Sequence, residues 1–220
     1  MLACTVALLL ALDVSGSMTD EEYKLEVEGF ADAIESQDMA EALKYPLAFR
    51  VDQWADAKVT AIDWTLVRNK MELHAFAEQM RTMYRSDAVG KNTMMGRMLD
   101  GDQHAWDDLP CTAQRKVMDI SGDGKDTPAL RTGHVHVDAE TMNFFGAPMV
   151  PFFVSKYEEN GITINGLPIL NLAPNNELDW DVIERRARSE KPNFAGHDGW
   201  CDGRHIGAVV FHWCICGLRV

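Results

Sequence analysis

No stretch of the sequence is apolar for long enough to cross a membrane. The longest apolar run, residues 6–12, stops at Asp13, whereas a helical span needs roughly 20 such residues. Basic residues are also scarce, because 21 Lys and Arg stand against 34 Asp and Glu and leave a net charge of −13. So acidic a surface repels phosphate backbones and anionic lipids and favours cations and basic partners. We therefore expect neither a membrane span nor nucleic-acid binding.

Cysteine is scarce as well, and its spacing is irregular. The five cysteines stand at positions 4, 111, 201, 214 and 216, and an odd, uneven set defines no disulfide framework. Cysteine content therefore leaves the compartment open. The apolar residues 1–12 lack the basic region and the small-x-small cleavage site of a secretory signal, so we interpret them as a buried strand.

Strand and helix patterns alternate along the chain. Residues 3–12 form a short continuous apolar run, which is typical of a strand buried on both faces of a parallel sheet. Thr19 and Glu22 then make a capping box, and the apolar residues after them recur at helical spacing. This order predicts a three-layer α/β fold with a mostly parallel sheet, to which the hairpin 46–67 adds one antiparallel edge strand. The other predicted elements are strands at 46–54, 58–67, 114–121, 161–170 and 206–213, and helices at 69–83, 94–106 and 178–188.

No Pro-, Gly- or Ser-rich linker divides the chain, so we expect a single domain over 1–220. Two segments within it are atypical. Residues 132–155 show no clear period where a helix would normally join two parallel strands, and residues 191–220 lack the amphipathic helix that would close such a sheet.

Three groups of polar side chains stand in predicted loops, where a strand ends or a helix begins. Asp13, Ser15 and Ser17 come directly after the first strand, Thr93 precedes a Met-rich helix, and Asp123 follows the strand 114–121. In α/β sheets of this kind, ligands bind at the carboxyl ends of the strands. Carboxylate and hydroxyl oxygens are hard donors that suit Mg²⁺ or Mn²⁺. The alternative is that these residues are only turn and capping residues, which Asp and Ser often are.

The same residues carry a family resemblance. Asp13-x-Ser15-x-Ser17, the later Thr93, and Asp123 before a glycine resemble the three-part metal-ion-dependent adhesion site of von Willebrand factor A domains. The stretches DVSGSM, VMDISGDG and TINGLPIL further resemble a bacterial family of A-domain proteins of uncharacterised function. The likeness does not extend to the two atypical segments.

The resemblance implies a Rossmann-like sheet with a cation at its carboxyl-end rim. Ser15, Ser17 and Thr93 would bind Mg²⁺ (or Mn²⁺) through their hydroxyls, and Asp13 and Asp123 directly or through water. One coordination position would remain for a carboxylate from a partner protein, so the expected function is divalent-cation-dependent protein binding, and not catalysis. The resemblance also implies a compartment. We expect a secreted or periplasmic protein if a leader precedes Met1, and otherwise a cytoplasmic one.

Two other functions remain open at this stage. A metal-dependent hydrolase of phosphates or esters would use the same cation, but the G-x-S-x-G elbow is absent and no His or Lys is expected near the three loops as a general acid or base. An A-like domain with a vestigial metal site would be purely structural. A zinc site in the tail is also conceivable, although its spacing fits no common finger; its ligands would be Cys201, His205, Cys214 and Cys216.

Overall fold

The apolar run that opens the chain is the central strand of a five-stranded sheet. In the computed structural model, which describes residues 2–122 and 150–169, this strand spans Leu2–Asp13 (β1) and is buried along most of its length. Strands on both of its sides and helices on both of its faces explain why the run is continuous rather than alternating. The elements after β1 are α1 (Asp20–Ile34), α2 (Gln37–Ala42), β2 (Leu47–Trp54), β3 (Lys58–Val67), α3 (Lys70–Arg81), α4 (Met95–Asp102), a 3₁₀ turn (Gln103–Trp106), β4 (Cys111–Gly122), α5 (Val150–Glu159) and β5 (Ile162–Pro168).

The strands lie in the order β3-β2-β1-β4-β5. β1 pairs in parallel with β2 and β4, β4 pairs in parallel with β5, and the edge strand β3 runs antiparallel to β2. The predicted α/β fold with a mostly parallel sheet and one antiparallel edge is therefore confirmed.

Helices cover the two faces of this sheet. On one face Phe49 of β2 stacks on Phe76 of α3, with ring centroids 5.0 Å apart. On the other face, Leu9 belongs to the same buried cluster as Leu99 of α4 and Phe153 of α5. The Met-rich stretch is core, as expected, but its helix ends at Asp102 and tightens into the 3₁₀ turn instead of continuing to Trp106.

The structure corrects the expectation about cysteines. Cys4 of β1 and Cys111 of β4 form a buried disulfide across 107 positions of the chain. It joins two neighbouring strands near their amino ends, because Leu2 stands opposite Cys111 and Cys4 opposite Ala113 in the strand register.

α5 supplies the crossover between β4 and β5 that the sequence pattern did not show. It begins at Val150, within the segment 132–155 that we considered atypical. The helix at 178–188, the strand at 206–213 and the whole segment 191–220 lie outside the described residues. The chain divides into two compact units, Met1–Ile169 and Leu170–Val220, and the single domain over 1–220 stays a prediction. Within the described ranges, no helix is both long and apolar enough to span a membrane.

Candidate metal centre

The candidate site begins where β1 ends. Asp13 is the last residue of the strand and is fully buried, and its Oδ1 accepts a hydrogen bond of 2.7 Å from the backbone N–H of Ser15. The N–H of Val14 donates to the carbonyl of Trp54 at the end of β2. The loop after β1 therefore starts from a position that the sheet itself holds in place.

Three hydroxyl oxygens lie together in the loop after this carboxylate and the loop that carries Thr93. The Oγ atoms of Ser15 and Ser17 are 3.1 Å apart, and Oγ1 of Thr93 donates to Oγ of Ser15 at 3.3 Å. Ser15 and Thr93 are buried, whereas Ser17 is exposed. The structure thus brings together Asp13, Ser15, Ser17 and Thr93 from two loops that lie more than 70 residues apart in sequence.

The two loops are also joined through the backbone. The N–H of Gly16 donates to the carbonyl of Lys91 at 2.8 Å. A Cβ at Gly16 would lie 3.2 Å from that carbonyl oxygen, so a side chain there would force the loops slightly apart. The glycine permits the close approach that places Ser15 against Thr93.

Arg85 also holds the loop after β1, through hydrogen bonds to its backbone. Its Nη2 donates to the carbonyls of Ser15 at 2.7 Å and Val14 at 3.2 Å, and its Nη1 pairs with Asp20 at 2.7 Å. Sequence reasoning missed this residue, because the signal is a lone arginine on a loop 70 positions away.

The fifth predicted ligand, Asp123, lies outside the described residues, and its role stays a prediction. Its neighbour Gly122 ends β4 beside Asp13, since a Cβ at Gly122 would stand 3.0 Å from Oδ2 of Asp13. The backbone of β4 therefore reaches the same edge of the sheet as the first two loops.

Asp119 belongs to β4 rather than to the site. Its Oδ1 accepts a hydrogen bond of 2.7 Å from the side-chain amide of Asn165 of β5. Burial raises the pKa of Asp119 to about 6, although Asn165 and Arg115 oppose this rise. The residue is a buried, strand-to-strand hydrogen-bonding group.

Lys91 stands in the Thr93 loop, and its backbone carbonyl accepts a hydrogen bond from Gly16, so a lysine residue does lie near the candidate ligands. The expectation that no lysine acts there as a general acid or base stays a prediction, because this hydrogen bond is made by the Lys91 backbone. No histidine among the described residues takes part in the hydrogen bonds of these loops.

A second group with metal-binding chemistry lies between α1 and α3. Ligand atoms of Glu35, His74 and Glu78 lie within 4.8 Å of one another. His74 pairs with Glu35, and this hydrogen bond raises the pKa of His74. Arg81 donates to both Glu35 and Glu78 at 2.6 Å, so the carboxylates already have a cation. We interpret the group as an ion-pair network between two helices.

The donor set at the first site fits a hard divalent cation. Its described side-chain donors are a buried carboxylate and three hydroxyls, all of them oxygens, which Mg²⁺ and Mn²⁺ prefer.

Comparison with solved structures agrees with the fold. The proximal thread matrix protein 1 of the mussel byssus matches with a TM-score of 0.53 and 16% identity, over 75% of this chain and 38% of the mussel chain. The same protein with a zinc-occupied MIDAS motif (the metal-ion-dependent adhesion site) matches with a TM-score of 0.51, 16% identity and the same coverage of both chains. The match thus spans well under half of the mussel protein. The vWF domain of the type V pili tip protein Mfa5 from Porphyromonas gingivalis matches with a TM-score of 0.41 and 14% identity, over 63% of this chain and 46% of that one.

None of the curated proteins matches the chain significantly. A family model, described as a protein of unknown function (DUF1194), matches residues 3–185. The match covers most of the chain, including β1 to β5. The chain therefore belongs to the DUF1194 family and has the fold of a von Willebrand factor A domain.

Proposed function

We propose that the chain is a divalent-cation-dependent protein-binding module that engages an acidic group of its partner. The observation that carries the proposal is the convergence of the Ser15, Ser17 and Thr93 hydroxyls in the loops next to Asp13, at the carboxyl end of β1. These residues, with Asp123, would hold Mg²⁺ or Mn²⁺. The ion would supply a Lewis-acidic position for an oxygen ligand of the partner.

Charge at the rim of the site supports an acidic partner. The chain as a whole carries a net charge of −13, yet the two loops place the cationic residues Arg85 and Lys91 next to the ligands. Arg85 is already paired with Asp20, so a bound divalent ion would supply most of the attraction for an acidic group. An acidic group is then attracted here, although the rest of the surface repels it.

Solved relatives support binding rather than catalysis. The matched mussel protein is a matrix protein, and its MIDAS motif holds zinc in one structure. Within the part of the chain that the structure describes, Oγ of Ser15 lies within hydrogen-bonding distance of the Ser17 and Thr93 hydroxyls, and no histidine contacts it. That arrangement suits a metal ligand better than a nucleophile.

A metal-dependent hydrolase is the alternative function, and Lys91 beside the site is the observation that favours it. Turnover assays with phosphate and ester substrates separate the two. Activity that requires the ion and disappears in Asp13→Ala would support the hydrolase and contradict the binding module.

Retention on a carboxylate-coated surface tests the proposal. Because the chain is strongly acidic, such a surface repels it unless a bound cation forms a bridge. We expect retention in Mg²⁺ or Mn²⁺, release by a chelator, and loss in Thr93→Ala. A sulfonate surface is the control, because it carries the same charge and coordinates metals poorly. Equal retention on both surfaces, or retention that survives the chelator, would contradict metal-dependent carboxylate binding.

A further inference from the structure

The tip of the β2–β3 hairpin lies against the loop that carries Thr93. The N–H of Ala57 donates to the carbonyl of Val89 at 2.9 Å, and the N–H of Met94 donates to the carbonyl of Ala55 at 3.2 Å. The hairpin thus holds the loop at Val89 and at Met94, on either side of residues 90–93. Asp56 stands at the centre of this tip.

The carboxylate of Asp56 binds the intervening residues directly. Its Oδ2 accepts from the backbone N–H groups of Lys91 at 2.7 Å and Asn92 at 3.1 Å, and its Oδ1 accepts from the side-chain amide of Asn92 at 2.6 Å. Burial by itself would raise the pKa of Asp56, but these three hydrogen bonds favour the charged form and lower it. The carboxylate is therefore held as an anion by the loop.

Close packing at Gly90 shows how tightly this carboxylate and the loop fit. Gly90 has φ +89°, a conformation that side chains disfavour. A Cβ at this position would lie 2.0 Å from Oδ2 of Asp56. The loop can wrap around the carboxylate only because a glycine occupies the turn.

Lys91 connects this anchor to the other ligand loop. Its N–H donates to Asp56, and its carbonyl accepts from the N–H of Gly16. Gly16 lies between Ser15 and Ser17, and Thr93 follows Lys91 by two positions. A continuous hydrogen-bonded path therefore runs from Asp56 to both sets of candidate ligands.

We propose that Asp56 is a positioning residue for the metal centre, which sets the approach of the Thr93 loop to the Asp13–Ser17 loop and thereby the affinity for the divalent ion. This inference rests on the proposed function. Among the described residues, Asp56 makes its hydrogen bonds to the backbone of residues 91 and 92 and to the Asn92 side chain, and not to a candidate ligand. Residues that orient metal ligands in this way typically change metal affinity 10- to 100-fold when they are replaced.

Asp56→Ala is the variant that tests the proposal. Alanine removes both carboxylate oxygens, and with them all three hydrogen bonds to residues 91 and 92. Mn²⁺ binding is measured by calorimetry at a temperature where every variant is fully folded. Amide hydrogen exchange at residues 91 and 92 is measured in the absence of metal.

Two controls separate positioning from loss of charge and from loss of stability. Asp108→Asn removes an exposed carboxylate close to the amino end of β4, at the opposite edge of the sheet. Ser36→Ala removes the side-chain cap of α2 and lowers stability away from the site. Both controls should bind Mn²⁺ like the wild type.

We expect Asp56→Ala to raise the Kd for Mn²⁺ by about tenfold or more and to speed exchange at residues 91 and 92. Wild-type affinity in Asp56→Ala would overturn the inference and leave the proposed function intact. Failure of the wild type to bind Mn²⁺ would overturn the proposed function and the affinity claim together. Unchanged exchange at residues 91 and 92 would overturn the anchoring itself, whatever the metal result.

Discussion

Removal of the Cys4–Cys111 disulfide should strongly destabilise the chain. The bond joins the central strand β1 to its neighbour β4, and it closes a loop between residues 107 positions apart. In the chain-entropy account, a cross-link over a loop this long stabilises the fold by about 4 to 5 kcal/mol, because it restricts the unfolded chain. That figure is a large part of the stability of a typical domain.

Urea unfolding of Cys4→Ala, Cys111→Ala and the double variant measures this effect under oxidising conditions. Each single substitution already breaks the bond, so all three variants should lose about the same free energy of unfolding. A comparison of singles with the double separates this disulfide from any effect of the other cysteines.

Two results would refute the reasoning about the disulfide. One is additive losses in the single and double variants, and the other is alkylation of Cys4 in unreduced, denatured wild-type protein. Disulfides persist in oxidising compartments, so a confirmed bond would favour secretion or the periplasm over the cytoplasm.

Two further predictions concern β4 and α1. Burial raises the pKa of Asp119 to about 6, so the native state binds more protons than the unfolded state between about pH 4 and pH 6, and wild-type stability falls as the pH rises through this range. The free energy of unfolding of Asp119→Asn, measured in urea, should therefore rise by about 2 kcal/mol relative to that of the wild type as the pH is raised from about 4 to 7.5. A difference between the two proteins that does not change with pH would contradict the raised pKa of Asp119. Thr19→Ala removes the capping box with Glu22 and should lower the free energy of unfolding by about 1 kcal/mol. Thr19→Ser keeps the hydroxyl and should keep most of that stability. An equal loss of stability in both variants would show that the hydroxyl does not cap the helix.

Local sequence signals account for the part of the fold that carries the site. The apolar run of β1, the polar loop after Asp13 and the capping box at Thr19 are neighbours in sequence, and the structure has them as predicted. Each of these signals lies within a few consecutive residues. It could therefore be recognised without knowing how the strands pair.

Features that depend on distant contacts were not predictable in the same way. The disulfide requires the register that sets Leu2 opposite Cys111, which only the assembled sheet supplies. The role of Asp56 requires the hairpin to meet a loop 35 residues away. The sequence of α5 contains one local signal, the buried pair Phe153 and Tyr157 at helical spacing. The residues before this pair show no regular period, so the helix was not recognised.

Two arguments grouped Thr93 with the loop after β1: its place before the Met-rich helix and the family resemblance. The structure brings the Thr93 and Ser15 hydroxyls within 3.3 Å. Neither composition nor periodicity predicts such a contact, because it joins residues 78 positions apart. Asp123 is the part of the ligand set that stays a prediction.

The most direct test of the central claim is to locate a bound Mn²⁺ by NMR. Mn²⁺ is paramagnetic and broadens the signals of nearby amides, so a titration reports where the ion binds. We predict that Ser15, Ser17 and Thr93 broaden first and that Asp13→Ala abolishes the effect. Broadening that begins at His74, in the Glu35–His74–Glu78 group, or that persists unchanged in Asp13→Ala, would contradict the metal centre proposed at the end of β1.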